Sequence, residues 1–156
     1  MKRQAYRKLK KQHMANSQKF VLTNAEKRGD VRSMSRKQIG KFSKDIIKLL
    51  GLDIPVGTPI YIADSNIEHM KSSHPEDFQK YGCDIEDIIA SPDYVGKNVK
   101  DNSIEFTKEY QQDGNFVKVA VRVSLQNIYY ARSMYTLNPK RVKNFIEKGT
   151  LKKLDK

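Results

Sequence analysis

Two alternating runs on either side of Asp113-Gly114 constrain this chain more than any other feature. In the first, Ile104, Phe106, Lys108 and Tyr110 share one face, and Glu105, Thr107 and Glu109 share the other. In the second, Val117, Val119, Val121 and Val123 alternate with polar or small residues, and Asp-Gly between two such runs is a strong hairpin signal. A two-residue turn there pairs Tyr110 with Val117, Lys108 with Val119, Phe106 with Val121 and Ile104 with Val123. The opposite face then pairs Glu109 with Lys118 and Glu105 with Arg122, so apolar meets apolar and acid meets base. A third strand over residues 128–136 follows a tight connection at Gln126-Asn127. The expected centre of the fold is therefore a small antiparallel β-meander.

Helical spacing dominates the segments before and after it. Ile39, Phe42, Ile46, Leu49 and Leu50 predict a helix over 35–50 that stops at Gly51 and shows Arg36, Lys37, Lys41, Lys44 and Lys48 outward. Pro55, Gly57 and Pro59 then force an irregular connection, and a short strand is expected over 60–63. Ser65 and Glu68 have capping-box spacing and open a helix that carries Ile67, His69 and Met70 and ends near His74, ahead of Pro75. A further turn over 84–90 presents Ile85, Ile88 and Ile89. Asn138-Pro139 starts a last helix with Val142, Phe145 and Ile146 on one side, ended by Gly149. N-terminal helices, then an antiparallel meander, then a C-terminal helix make an α+β domain over 35–156.

Charge divides the chain differently. Residues 1–50 hold fifteen Lys/Arg against Glu26, Asp30 and Asp45, a net of +12; residues 51–156 hold fifteen of each sign, a net of zero. Residues 1–34 read as a basic, largely flexible arm, with only Tyr6, Leu9 and Met14 as a weak stripe and His13 as a surface residue. Lysine and arginine that neutralise phosphates release counterions, so such an arm binds nucleic acid in a salt-sensitive way. It lacks the broad apolar face that a lipid surface selects. With 38% apolar and 31% charged residues, the core is expected to be lean. Cys83 is the only cysteine, so no internal disulfide forms; no apolar run is long enough for a membrane span or a signal peptide, and a cytoplasmic setting is expected.

Few residues carry a chemical signal. Lys108 shares the apolar face of its strand with Phe106, where a lone ammonium has to snorkel, pair or serve a site. A two-residue turn at Gln126-Asn127 sets Arg132 opposite Val121 on that face; a slip of one residue sets Ser133 and Tyr135 there instead. Either arrangement gathers cations or hydroxyls suited to phosphate. His69 and His74 are five apart, which is wrong for a zinc pair on a helix, and Cys83 has no zinc spacing; no metal or cofactor is expected. Each histidine also fits a bland role, His69 on a helix face and His74 as a C-terminal cap. Asp84, Glu86 and Asp87 fit helix-start charge better than a ligand set.

From Ile60 to Leu151 the order of motifs resembles a known group. It runs N-I-E-H-M-K-S-S-H-P from Asn66 to Pro75, D-I-I-A-S-P-D-Y-V from Asp87 to Val95, I-E-F-T-K from Ile104 to Lys108, and R-S-M-Y-T from Arg132 to Thr136. This resembles the phage-type nucleases grouped with barnase, EndoU, colicin and RelE-like RNases. The resemblance implies metal-independent RNA cleavage, often leaving a cyclic phosphate. It also implies site residues at His69 and His74 (the H-x4-H segment), at Lys108, and at Ser133 and Tyr135, with serine where threonine is expected at 133. The expected enzyme uses a histidine as acid or base, Lys108 with Arg132 or Arg122 on the developing charge, and Arg36, Lys37, Lys41 and Lys44 on the RNA backbone. The rival reading is a non-catalytic protein that binds nucleic acid, inhibits a host ribonucleoprotein or serves in a virion. A toxin role with an antidote or host protein as partner rests on the resemblance alone.

Overall fold

The computed structural model describes residues 36–155, so the expected basic arm over 1–34 lies outside the described residues. The strands are β1 (Arg36–Lys41), β2 (Pro59–Ala63), β3 (Tyr94–Lys97), β4 (Ile104–Tyr110), β5 (Asn115–Val123), β6 (Tyr129–Leu137) and β7 (Leu151–Lys153). The helices are α1 (Lys44–Leu50), α2 (Asp64–Ser73), α3 (Pro75–Tyr81), α4 (Ile85–Ala90) and α5 (Pro139–Glu147), with a 3-10 turn over Gly82–Asp84. The strands form one mixed sheet in the order β1-β2-β6-β5-β4-β3-β7. The class is α+β, as expected, but the meander is only its middle. β2 joins β6 in parallel, β1 lies outside β2, and β7 lies outside β3.

The helix expected over 35–50 is two elements. Ile39, Phe42 and Ile46 are all buried, yet their helical spacing spans a strand, a turn and a helix. A bulge between Gln38 and Gly40 turns Ile39 toward the core, and Gly40 lets α4 approach: a Cβ there sits 2.6 Å from Ile89 Cγ2. The helix starts only after Ser43, whose Oγ accepts the Ile46 N–H at 3.3 Å, and it ends at Gly51 with φ 63°. The expected Ser65/Glu68 capping box is not used. The N-cap of α2 is Ala63, two residues earlier, and Asn66 Oδ1 accepts the Ala63 N–H at 2.8 Å. α3, β3 and β7 have no counterpart among the elements expected from the sequence.

The β4–β5 register differs from the expected one by two residues. Lys108 lies opposite Val117, Phe106 opposite Val119 and Ile104 opposite Val121. The loop is four residues, 111–114, closed by Asp113 N–H to Tyr110 O at 3.0 Å, with Gly114 at φ 66°. Asp113 is held there by the Tyr81 hydroxyl, which donates to its carboxylate at 2.8 Å. An even slip keeps every residue on its expected face and changes only its partner.

Each face of the sheet has its own cover. One face carries the main core, including Ile60, Ile62, Val95, Phe106, Val117, Val119, Val121 and Met134, under residues of α1 to α4. On the other, α5 closes a small cluster of Leu137, Val142 and Leu151 with Tyr94, Phe116, Tyr135 and Phe145 around it. α5 covers only one end of that face, and the remainder is polar. No helix among the described residues is long and apolar enough to cross a membrane.

Candidate active site

The uncovered part of the second face is a cleft of about 430 Å³. Alternation along the strands supplies its floor: Glu105 from β4, Ala120 and Arg122 from β5, Ser133 and Tyr135 from β6. A bulge in β6 adds one more group. Ala120 lies opposite Ser133 while Val121 lies opposite Ala131, so Arg132 is the extra residue. Ala131 and Met134, three apart, both stay in the core, and Arg132 and Ser133 both line the cleft. α2 forms one wall. It runs beside β6 where β2 has diverged, turning Ile67 and Met70 into the core and Asn66 and His69 toward the cleft. The β3–β4 loop forms the other wall with Asn98, Asp101 and Ser103.

A buried ion pair underlies this floor. Lys118 Nζ lies 2.8 Å from Glu105 Oε2, and Asn98 Nδ2 donates to the same oxygen at 3.5 Å. The Lys118 side chain is 7% exposed and that of Glu105 10%. Burial alone pulls the Lys118 ammonium toward neutrality, but hydrogen bonding to Glu105 and Tyr135 outweighs it and raises its pKa. The ammonium lies 4.9 Å from the Tyr135 ring centre. On the loop wall, Ser103 N–H donates to Asp101 at 3.0 Å and holds that carboxyl below the ordinary aspartate range, with the Arg122 charge adding to the effect.

The structure brings together most of the residues singled out from the sequence. His69, Arg122, Arg132, Ser133 and Tyr135 share the cleft. His74 stands behind it, capping α2 and stacked on the Tyr135 ring at 5.0 Å and 28°. Lys108 is not brought to them. It is half-buried on the core face opposite Val117; the register of a two-residue turn holds from Phe116 opposite Leu137 to Ala120 opposite Ser133, but the bulge breaks it before Val121, so Arg132 leaves the core face and joins Ser133 and Tyr135 in the cleft. Arg36, Lys37 and Lys41 lie on a strand rather than a helix. Arg36 packs on the Tyr61 ring at 4.5 Å, Lys37 pairs with Glu86 at 3.2 Å, and Lys41 and Lys44 are exposed.

Sequence reasoning missed Glu105 and Lys118 as site residues. It paired Lys118 with Glu109 and Glu105 with Arg122 and gave neither a part in the site. The signal was present in the alternation, because Tyr94, Phe116 and Leu137 share that face and need a cover that buries whatever lies beside them. Among the described residues no group of three or more His, Cys, Asp or Glu is placed to hold a metal ion. The polar lining of the cleft is two guanidiniums, three hydroxyls, two amides, an imidazole and two carboxylates, of which Glu105 is paired with Lys118, a set that suits a phosphate and its proton transfers. No curated protein and no solved structure matches the chain. A family model does, over residues 37–144, the span that supplies every wall of the cleft; the chain belongs to the family described as phage-Barnase-EndoU-ColicinE5/D-RelE like nuclease3.

Proposed function

We propose that the cleft is the active site of a metal-independent endoribonuclease that leaves a 2′,3′-cyclic phosphate. The observation that carries this reading is the β6 bulge, which sets Arg132 beside Ser133 in a cleft that also holds Arg122, His69 and Glu105. Attack of a 2′-hydroxyl oxygen on the neighbouring phosphorus forms one P–O bond and breaks the bond to the 5′-oxygen. One group has to take the 2′-hydroxyl proton and another has to protonate the leaving oxygen. Glu105, on the floor, is the acceptor, and His69, on the α2 wall, is the donor. Arg122 and Arg132 stabilise the charge that develops on the phosphorane oxygens, a task that a metal ion performs in other nucleases. The Ser133 and Tyr135 hydroxyls orient the phosphate, and His74 fixes the Tyr135 ring. In this reading, residues 1–34 add salt-sensitive affinity for the RNA backbone.

The test is incubation of the full chain with RNA in excess EDTA, with analysis of the new ends. Wild-type protein is expected to cut and to leave cyclic phosphate, and His69→Ala to lower kcat by roughly 100-fold or more. Intact RNA, or cleavage abolished by chelation, overturns the proposal; intact RNA that is still retarded on a gel favours a binding protein instead.

A further inference from the structure

A second feature of the cleft face takes no part in that chemistry. On β2, Ile60 and Ile62 enter the core, so Tyr61 between them stands on the cleft side. Tyr61 lies opposite Tyr130 of β6, and Tyr130 lies opposite Arg122 of β5, which itself lines the cleft. The Tyr61 and Tyr130 rings are 6.4 Å apart at 47°. Arg36 of β1 completes the row. Its guanidinium is 4.5 Å from the Tyr61 ring centre, and its Nη1 donates to the Tyr130 hydroxyl at 3.5 Å. From Arg122 outward, three adjacent strands therefore present cation, ring and ring, with the Arg36 guanidinium laid over the outer ring and bonded to the hydroxyl of the inner one. α5 packs at the other end of the sheet, and both rings are only half-buried.

We propose that Tyr130, Tyr61 and Arg36 form a stacking subsite for unpaired bases of the RNA strand that is cut in the cleft. This rests on the nuclease reading and deepens it by naming the substrate class as single-stranded RNA. Strands lie about 4.8 Å apart, so the row from β5 to β2 extends about 10 Å beyond the cleft. That reach fits a run of nucleotides and exceeds a single phosphate. Rings and guanidinium planes bind any base by its π-face, while Arg36 on the row and Arg122 at its inner end supply positive charge. Bases paired in a duplex are stacked on one another and do not offer those faces. Cross-strand tyrosines also stabilise a sheet by packing, so the test has to separate recognition from folding.

Two probes are used with the full chain and with Tyr130→Ala, Tyr130→Phe and Tyr61→Ala. One is a single-stranded RNA oligonucleotide, scored for kcat and KM beside a dinucleotide too short to reach the row. The other is the same oligonucleotide with 2′-O-methyl groups, which cannot be cut, scored for Kd beside its duplex. Tyr130→Ala is expected to raise KM and Kd for the single strand about tenfold or more while keeping kcat and dinucleotide cleavage. Tyr130→Phe keeps wild-type values, and the duplex binds more weakly than the single strand. Unchanged Kd and KM in the alanine variants, equal binding of duplex and single strand, or equal loss on the dinucleotide overturns the proposal. Absence of cleavage by wild type defeats the nuclease reading alone, because the 2′-O-methyl probe still reports on stacking.

Discussion

The two faces of the sheet are built from the same strands and obey different rules. On one, Phe106, Val117, Val119, Val121 and Met134 are wholly buried, and each such side chain contributes about 1.5–3 kcal/mol by leaving water. On the other, the residues between them are Glu105, Thr107, Lys118, Ala120 and Ser133, and α5 covers only part of the surface. Thr107 Oγ1 is buried there with no hydrogen-bond partner among the described residues, and Lys118 is kept charged by Glu105. The core face bears the stability of the fold, and the partly covered face carries groups that cost stability unless they are paired. In the proposed function, a period of two in the sequence thus separates folding from chemistry within one strand.

The comparison breaks first at Phe106. Phe106→Ala empties a fully buried site and is expected to lower unfolding free energy by about 3–5 kcal/mol, measured by urea denaturation. A loss below about 1 kcal/mol contradicts the assignment of the core to that face. Next is the buried pair. Lys118→Met leaves Glu105 buried without its partner and is expected to cost about 3 kcal/mol. Lys118→Met with Glu105→Leu recovers most of that loss while remaining inactive, which separates the packing of this face from its chemistry. The pair also sets a pH dependence. The Lys118 pKa is raised on folding, so its contribution is fully present below the ordinary lysine range and is lost as pH rises through the folded value. Alkaline unfolding of the double variant is expected to lack that component.

The parts of the fold that were legible in the sequence are those governed by one period. Alternation placed β4 and β5 and every face assignment within them, and Asn138-Pro139 placed α5. Errors arose where a tertiary contact decides. Ile39, Phe42 and Ile46 imitate a helix because a bulge, a turn and a helix happen to deliver them to one core. The hairpin loop is four residues long because Asp113 is drawn to Tyr81, a contact 32 residues away that no local rule contains. Of the site, His69, Arg122, Arg132, Ser133 and Tyr135 were identified from motif or charge. Alternation alone brings Arg122, Ser133 and Tyr135 to one face, but Arg132 joins them only through the β6 bulge, which has no distinct local signature. Glu105 was concealed because the two-residue turn paired it with Arg122, which left its buried pairing with Lys118 out of view.

The central claim is that chemistry belongs to the cleft face and not to the core face, and Arg132 and Lys108 test it as a pair. Both are cations on neighbouring parts of one sheet, and the resemblance to known nucleases singles out Lys108. The measurement is the initial rate of RNA cleavage in excess EDTA by Arg132→Ala and Lys108→Ala, each shown to be folded. The account predicts a loss of about 100-fold or more for Arg132→Ala and a change within about threefold for Lys108→Ala. A Lys108→Ala protein that no longer cuts, beside an Arg132→Ala protein that does, contradicts it.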